Sequence, residues 1–270
     1  MLKKSLLLLV LGFCIFIGCT STDDESPWQL VWYDEFDSAE LDLEKWTFQY
    51  GTGEEQGLSG WGNYELQYYT DREENIFISD GKLHIVALEE SYNDEDFTSA
   101  RIKTRDKGDW TFGRIEARAK LPQGQGMWPA IWMLSTDEVY GGWPKSGEID
   151  IMEQIGHEPE TIHGTVHFGE DWPQNQENGA SFTLSEGTFS DDFHIFAIEW
   201  EENEIRWYVD DIHFHTVTPA DLEPFHYPFN ERFHLIINLA VGGNWPGDPD
   251  ETTEFPQSLI VDYVRVYQLK

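Results

Sequence analysis

The chain has 270 residues, with 17 basic against 51 acidic side chains and a net charge of −34. That length suffices for one large domain with an ample core. So acidic a surface repels nucleic acid and anionic polymers, which excludes a nucleic-acid partner and disfavours heavily sulfated substrates. Aromatic residues make up 15% and 12 of them are Trp, more than core packing usually takes. Turn residues are frequent and long helical periodicities scarce, which points to an all-β sandwich or barrel.

Met1 to Lys4 is a short basic region, followed by an apolar run from Ser5 to Ile17 that is too short for a transmembrane helix. Phe16-Ile17-Gly18-Cys19 resembles a bacterial lipobox, cut before Cys19, which would then carry lipid. The alternative is ordinary secretion with Cys19 unmodified. Cys14 lies inside this leader, so the mature chain would have one Cys and no disulfide. Thr20 to Ser26 is polar and acidic, composed like a tether that does not fold. It resembles the acidic signal that sends lipoproteins to the outer cell surface. The expected division is residues 1–18 as lipoprotein signal peptide, 19–26 as tether and 27–270 as one catalytic domain. The expected location is the bacterial outer membrane, with contact to lipid only through Cys19.

Within the domain, Trp28 to Asp37 reads as an opening strand running into a turn, and 51–63 as a long Gly-rich loop. Asp80-Gly81 is a hairpin turn signal leading into the strand Lys82 to Leu88. Phe112 to Lys120 alternates, with Arg114, Glu116 and Arg118 on one face and Ile115, Ala117 and Ala119 on the other. Met127 to Leu134 reads as a buried or cleft-lining strand. Further strands are expected over 161–168, 193–200, 204–209, 212–217, 233–241 and 259–267. About a dozen short strands fit two packed antiparallel sheets, a β-jelly-roll sandwich with a concave cleft.

The most informative stretch is Ser146 to Ile155, which holds Glu148, Asp150 and Glu153 interleaved with Ile149, Ile151 and Met152. On a strand Glu148 and Asp150 share a face, but Glu153 has the wrong parity and would point into the core. An unpaired carboxylate there is costly. One extra residue, a β-bulge near Met152, would return Glu153 to the face of the other two. Two glutamates would then flank an aspartate on one wall. A retaining glycosidase needs such a pair, about 5–5.5 Å apart, one as nucleophile and one as acid/base. An acidic strand on a solvated surface is the plain alternative. Against it stand Trp128, Trp132 and Trp143 just upstream, since indoles form apolar platforms for the C–H faces of sugar rings. Trp61, Trp128 and Trp245 sit beside Gly, Pro or Asn and, with Trp132 on the same strand as Trp128, suit a cleft, whereas Trp200 and Trp207 alternate as core residues.

The motif Glu148-Ile149-Asp150-Ile151-Met152-Glu153 resembles the active-site strand of glycoside hydrolase family 16. Gly60 to Thr70, Met127 to Leu134 and Asn238 to Trp245 narrow the resemblance to its bacterial laminarinases, over nearly the whole mature chain. The resemblance implies a β-jelly roll, retention of anomeric configuration and endo-cleavage of β-1,3-glucan, with no catalytic cofactor. It makes Glu148 the nucleophile, Glu153 the acid/base and Asp150 their electrostatic partner; the residues alone give the pair but not which is which. It places Asn244 and Trp245 with the substrate, and His167, fourteen residues after Glu153, beside the acid/base. His167 remains a cleft hydrogen-bonder, a structural His or a metal ligand. Asn63, Glu65 and Arg101 are candidates for sugar hydroxyls or for structural work. Glu35, Gly81 and Asp262 match positions that hold a structural Ca²⁺ in family members, partly through backbone carbonyls. Alternatives on the same fold are mixed-linkage β-glucan, agarose or carrageenan cleavage, transglycosylation, or glucan binding without catalysis. A monomer is expected.

Overall fold

A computed structural model describes residues 27–270. The expectations for the leader, for Cys19 and for the acidic tether lie outside the described residues.

Period-two alternation can make a strand one-sided. Gly113–Lys120 shows it: Ile115, Ala117 and Ala119 are buried, while Arg114 and Arg118 face outward. Among the described residues such strands form two sheets, one of ten strands and one of eight. The ten-stranded back sheet is centred on Gly113–Lys120 and Gln257–Leu269, which pair antiparallel. The eight-stranded cleft sheet runs from Asn175–Thr183 through Thr161–Gly169, Glu148–Glu153, Met127–Ser135, Phe233–Val241 and Arg101–Lys103 to Thr47–Gln49. The core lies between the sheets and includes Trp46, Trp200, Trp207, Phe196 and Phe233. Trp200 and Trp207 are core residues, as their alternating strands predict.

Phe233–Val241 is buried along its whole length and is apolar except at His234 and Asn238. Asn238 is its one amide, and the cleft explains it below. The Asp80-Gly81 turn closes a hairpin, with Ser79 opposite Lys82 and both turn residues at positive φ.

Three features depart from the sequence reading. Gln67–Tyr69 pairs in parallel with Glu95–Ser99, so the sheets are not purely antiparallel. A parallel pair needs a long crossover, and residues 70–94, with two strands of their own, supply it. The loop over 51–63 contains two short 3₁₀ turns, Glu54–Gln56 and Ser59–Gly62. Asn175–Thr183 is a full strand at the edge of the cleft sheet that the sequence reading passed over. Its residues are mostly polar because it buries little, so no apolar period announces it.

Candidate active site

The strand Glu148–Glu153 is irregular where the sequence requires it. Against Met127–Ser135, Trp132 pairs with Asp150, then Ile131 with Met152 and Ala130 with Glu153, so Ile151 has no partner. Against Thr161–Gly169, Asp150 pairs with Thr165 and Glu153 with His163, which leaves Ile151 and Met152 together facing Gly164. One extra residue thus restores the parity of Glu153. The bulge takes in Ile151 and Met152, near Met152 as expected. Glu148, Asp150 and Glu153 all line one groove of about 960 Å³. Ile149, Ile151 and Met152 are buried in the core beneath them. Trp207, from the back sheet, donates its indole N–H to the Asp150 carbonyl at 2.7 Å. A buried carbonyl without a partner costs about 1–3 kcal/mol, so a bulge in the core needs such donors.

The carboxylates face few cations. Asp150 is 1% exposed, and its Oδ2 lies 3.2 Å from His167 Nε2, a close ion-pair contact without hydrogen-bond alignment. Glu148 Oε1 is 3.9 Å from the same nitrogen. Burial raises the pKa of Glu148, and the neighbouring Asp150 charge adds to it. Glu153 is raised well above the usual carboxylate range for the same two reasons, in the same order. Burial pulls the His167 imidazole down, but Asp150 and the two glutamates outweigh it and carry it up to about 10. Trp128 donates its indole N–H to Glu153 Oε1 at 3.0 Å. Both glutamates are therefore biased toward holding a proton, and a charged imidazole lies against Asp150.

Aromatic rings build the groove walls. Trp128 meets Trp245 edge-on at 5.6 Å, and His163 meets Trp245 at 4.9 Å. Arg101 lies between two indoles, 4.3 Å from the Trp61 ring and 4.8 Å from Trp132, and donates from Nε to Gln49. Trp61 is only 6% exposed, so it lines the groove with an edge while Arg101 covers its ring. Behind this wall Glu65 accepts hydrogen bonds from Asn63, Gln67 and Tyr69. Asn238 accepts from the Trp132 indole at 2.7 Å and donates to Tyr69 at 3.1 Å. That chain is why an amide stands in an apolar strand. Glu65 and Arg101 thus hold the wall as well as lining it.

Of the residues singled out, Trp61, Asn63, Glu65, Arg101, Trp128, Trp132, His167 and Trp245 line the groove with the three carboxylates. Asn244 does not: its side chain is exposed and its backbone N–H donates to the Asn63 carbonyl at 2.8 Å. It pins two loops together and leaves the groove to Trp245. The reading missed His163, Asn175, Glu177 and Asn238 as lining residues. The polar residue inside Phe233–Val241 was the available signal for Asn238. Asn175 and Glu177 lie on the unrecognised polar strand.

Glu148, Asp150 and His167 each bring one donor atom within 4.8 Å of the others, a grouping that could hold a metal ion. The calcium expectation fits less well. Both Glu35 oxygens accept from Arg265, at 2.7 and 2.8 Å. Asp262 is held by Arg118 at 2.6 Å and by Lys82 at 3.8 Å. Neither carboxylate is a free hard-oxygen ligand beside those cations, and Gly81 offers only its backbone.

A two-sheet sandwich with three clustered carboxylates in an indole-lined groove defines the site of a carbohydrate-cleaving hydrolase. The chain belongs to glycosyl hydrolases family 16, whose family model matches residues 61–264. It is 46% identical to a β-glucanase of Rhodothermus marinus, across 99% of this chain and 95% of that protein. Among solved structures, the catalytic domain of an endo-1,3-β-glucanase (laminarinase) from Thermotoga petrophila superposes with a TM-score of 0.85 at 47% identity, covering 90% of this chain and 98% of that one. The laminarinase catalytic domain of Thermotoga maritima gives a TM-score of 0.84 at 46% identity, covering 90% and 99%.

Proposed function

We propose that the protein is an endo-acting, retaining β-1,3-glucanase that hydrolyses laminarin-type glucan by double displacement. The observation that carries this is the bulge at Ile151, which sets Glu153 on the same groove wall as Glu148 and Asp150. Glu148 attacks the anomeric carbon and Glu153 gives its proton to the leaving oxygen. Glu153 then takes a proton from water, and that water hydrolyses the glycosyl-enzyme. Asp150, with His167 against it, holds the charge between them. Trp128, Trp132 and Trp245 line the groove and offer apolar platforms for sugar rings.

Product chromatography over time tests the reading. Laminarin should give a spread of oligosaccharides early, with retained anomeric configuration. Glucose alone from the start would show exo-attack. Rapid release from lichenan or agarose with none from laminarin would move the specificity elsewhere in the family.

The reading continues outside the described residues. Lipid on Cys19 anchors the mature chain to the outer membrane, supported by the lipobox-like Phe16-Ile17-Gly18-Cys19. Labelled palmitate should enter the wild-type protein and not Cys19→Ala. The protein works as a monomer, which sedimentation tests. No catalytic cofactor enters the scheme. Structural calcium at Glu35, Gly81 and Asp262 would have to bind through backbone carbonyls, and thermal unfolding with and without calcium tests it.

A further inference from the structure

We propose that Trp207 is a positioning residue for the catalytic strand. Its indole reaches across the core from the back sheet and fixes the bulge that brings Glu153 level with Glu148 and Asp150. The proposal rests on the glucanase reading only for its kinetic readout.

Three observations meet at one point. The Trp207 indole N–H donates to the Asp150 carbonyl at 2.7 Å, where the ladder with Thr161–Gly169 breaks. Ile151 and Met152 together oppose Gly164, so that glycine stands directly across from the bulge. A Cβ on Gly164 would lie 2.4 Å from Trp207 Cδ1 and 2.9 Å from Nε1. The indole therefore occupies the room that the missing side chain leaves. Glycine in a strand interior often marks such a close approach.

The ring is also held from behind. Trp207 is fully buried and tilts against His215 with centroids 5.1 Å apart. It pairs with Ile198 on one neighbouring strand and His215 on the other. Its N–H is thus aimed by the back sheet, while the carbonyl it meets belongs to the cleft sheet. Trp207 does not line the groove. It acts on the reaction through the backbone between Asp150 and Glu153. A one-residue slip of that backbone would turn Glu153 toward the core, since strand side chains alternate in direction. An N–H delivered only to the bulged register favours that register.

Trp207 should be replaced by β-(3-benzothienyl)alanine, which keeps the bicyclic shape and puts sulfur in place of N–H. Three properties are then measured against wild type: kcat and KM on laminarin, the pH profile of kcat, and the thermal midpoint. The expected result is a fall in kcat on the order of 10-fold with KM within about 2-fold, since small misplacements of reacting groups cost rate more than binding. The limbs of the pH profile should move with it. Gly164→Ala, which pushes the indole away, should shift the limbs the same way. The double variant should lose no more than the worse single one, because both act through one contact. A folded analogue protein with wild-type kcat and pH profile would overturn the proposal. So would a lower thermal midpoint with unchanged kcat and pH limbs, which is a packing role only. A crystal structure of the analogue protein reads the register directly: Glu153 still opposite His163 in an ordered bulge would also overturn it. Wild-type protein inactive on laminarin would sink the glucanase reading instead, and the crystallographic register then decides on Trp207 alone.

Discussion

Glu199 on the back sheet and Glu153 in the cleft are both partly buried carboxylates, and their pKa values move in opposite directions. Burial pushes Glu199 up, but hydrogen bonds from Tyr208 and Arg206, with the Arg114 charge, outweigh it and hold the group below its ordinary value. Glu153 has burial and the Asp150 charge pushing it up, and His167 and Trp128 too weak to offset them. The back sheet continues its pattern elsewhere, with Arg265 on Glu35 and Arg118 on Asp262. Each of those acids is paired with a guanidinium. The cleft sheet gathers three acids around one imidazole, and Arg101 is drawn aside between two indoles. What separates the cleft carboxylates from those of the back sheet is the local count of cations.

The comparison breaks first at the carboxylates themselves. Glu148→Gln and Glu153→Gln should each lower kcat on laminarin by about 10³-fold or more, while affinity electrophoresis still shows glucan binding. Glu199→Gln should leave kcat within about 2-fold. Full activity in Glu148→Gln would remove it as nucleophile.

A smaller effect should follow Trp128→Phe, which keeps a ring and loses the N–H on Glu153. That hydrogen bond favours the ionised form. Its loss raises the Glu153 pKa further, so the alkaline limb of the pH–rate profile should move to higher pH, with kcat down on the order of 10-fold. A limb that moves down would mean that another group controls it.

The imidazole gives a third test, read in stability. His167 lies above its ordinary value of 6.5, at about 10. A raised pKa means that its stabilising effect is full below the unfolded value and is lost as pH rises through the folded one. The thermal midpoint of wild type should exceed that of His167→Gln most below about pH 6. The gap should close toward pH 10, the folded value. A gap that ignores pH would show that His167 is uncharged. The smallest effect belongs to the back sheet: Arg206→Ala should cost at most about 1 kcal/mol in denaturant unfolding and leave kcat unchanged.

Much of the site was legible because its residues are close in the chain. Glu148, Asp150 and Glu153 span six positions, and the wrong parity of Glu153 announced the bulge before any partner strand was known. The alternation of Gly113–Lys120 fixed its inner face in the same way. Asn175–Thr183 escaped because a polar edge strand has no apolar period to find. Asn244 was misplaced because a loop side chain has no parity at all, and its neighbour Trp245 took the groove.

By itself the sequence determined the all-β class, the acid triplet and the need for one extra residue, since all three follow from spacing along a single strand. The tertiary structure decided what meets those acids. Arg101 came from elsewhere in the chain to sit between Trp61 and Trp132, Asn238 to hold Trp132, and Trp207 to reach the Asp150 carbonyl from the opposite sheet. Those partners are distant in the chain: strand pairing within the cleft sheet brings Arg101 and Asn238 to Trp132, and the packing of the two sheets brings Trp207 to Asp150.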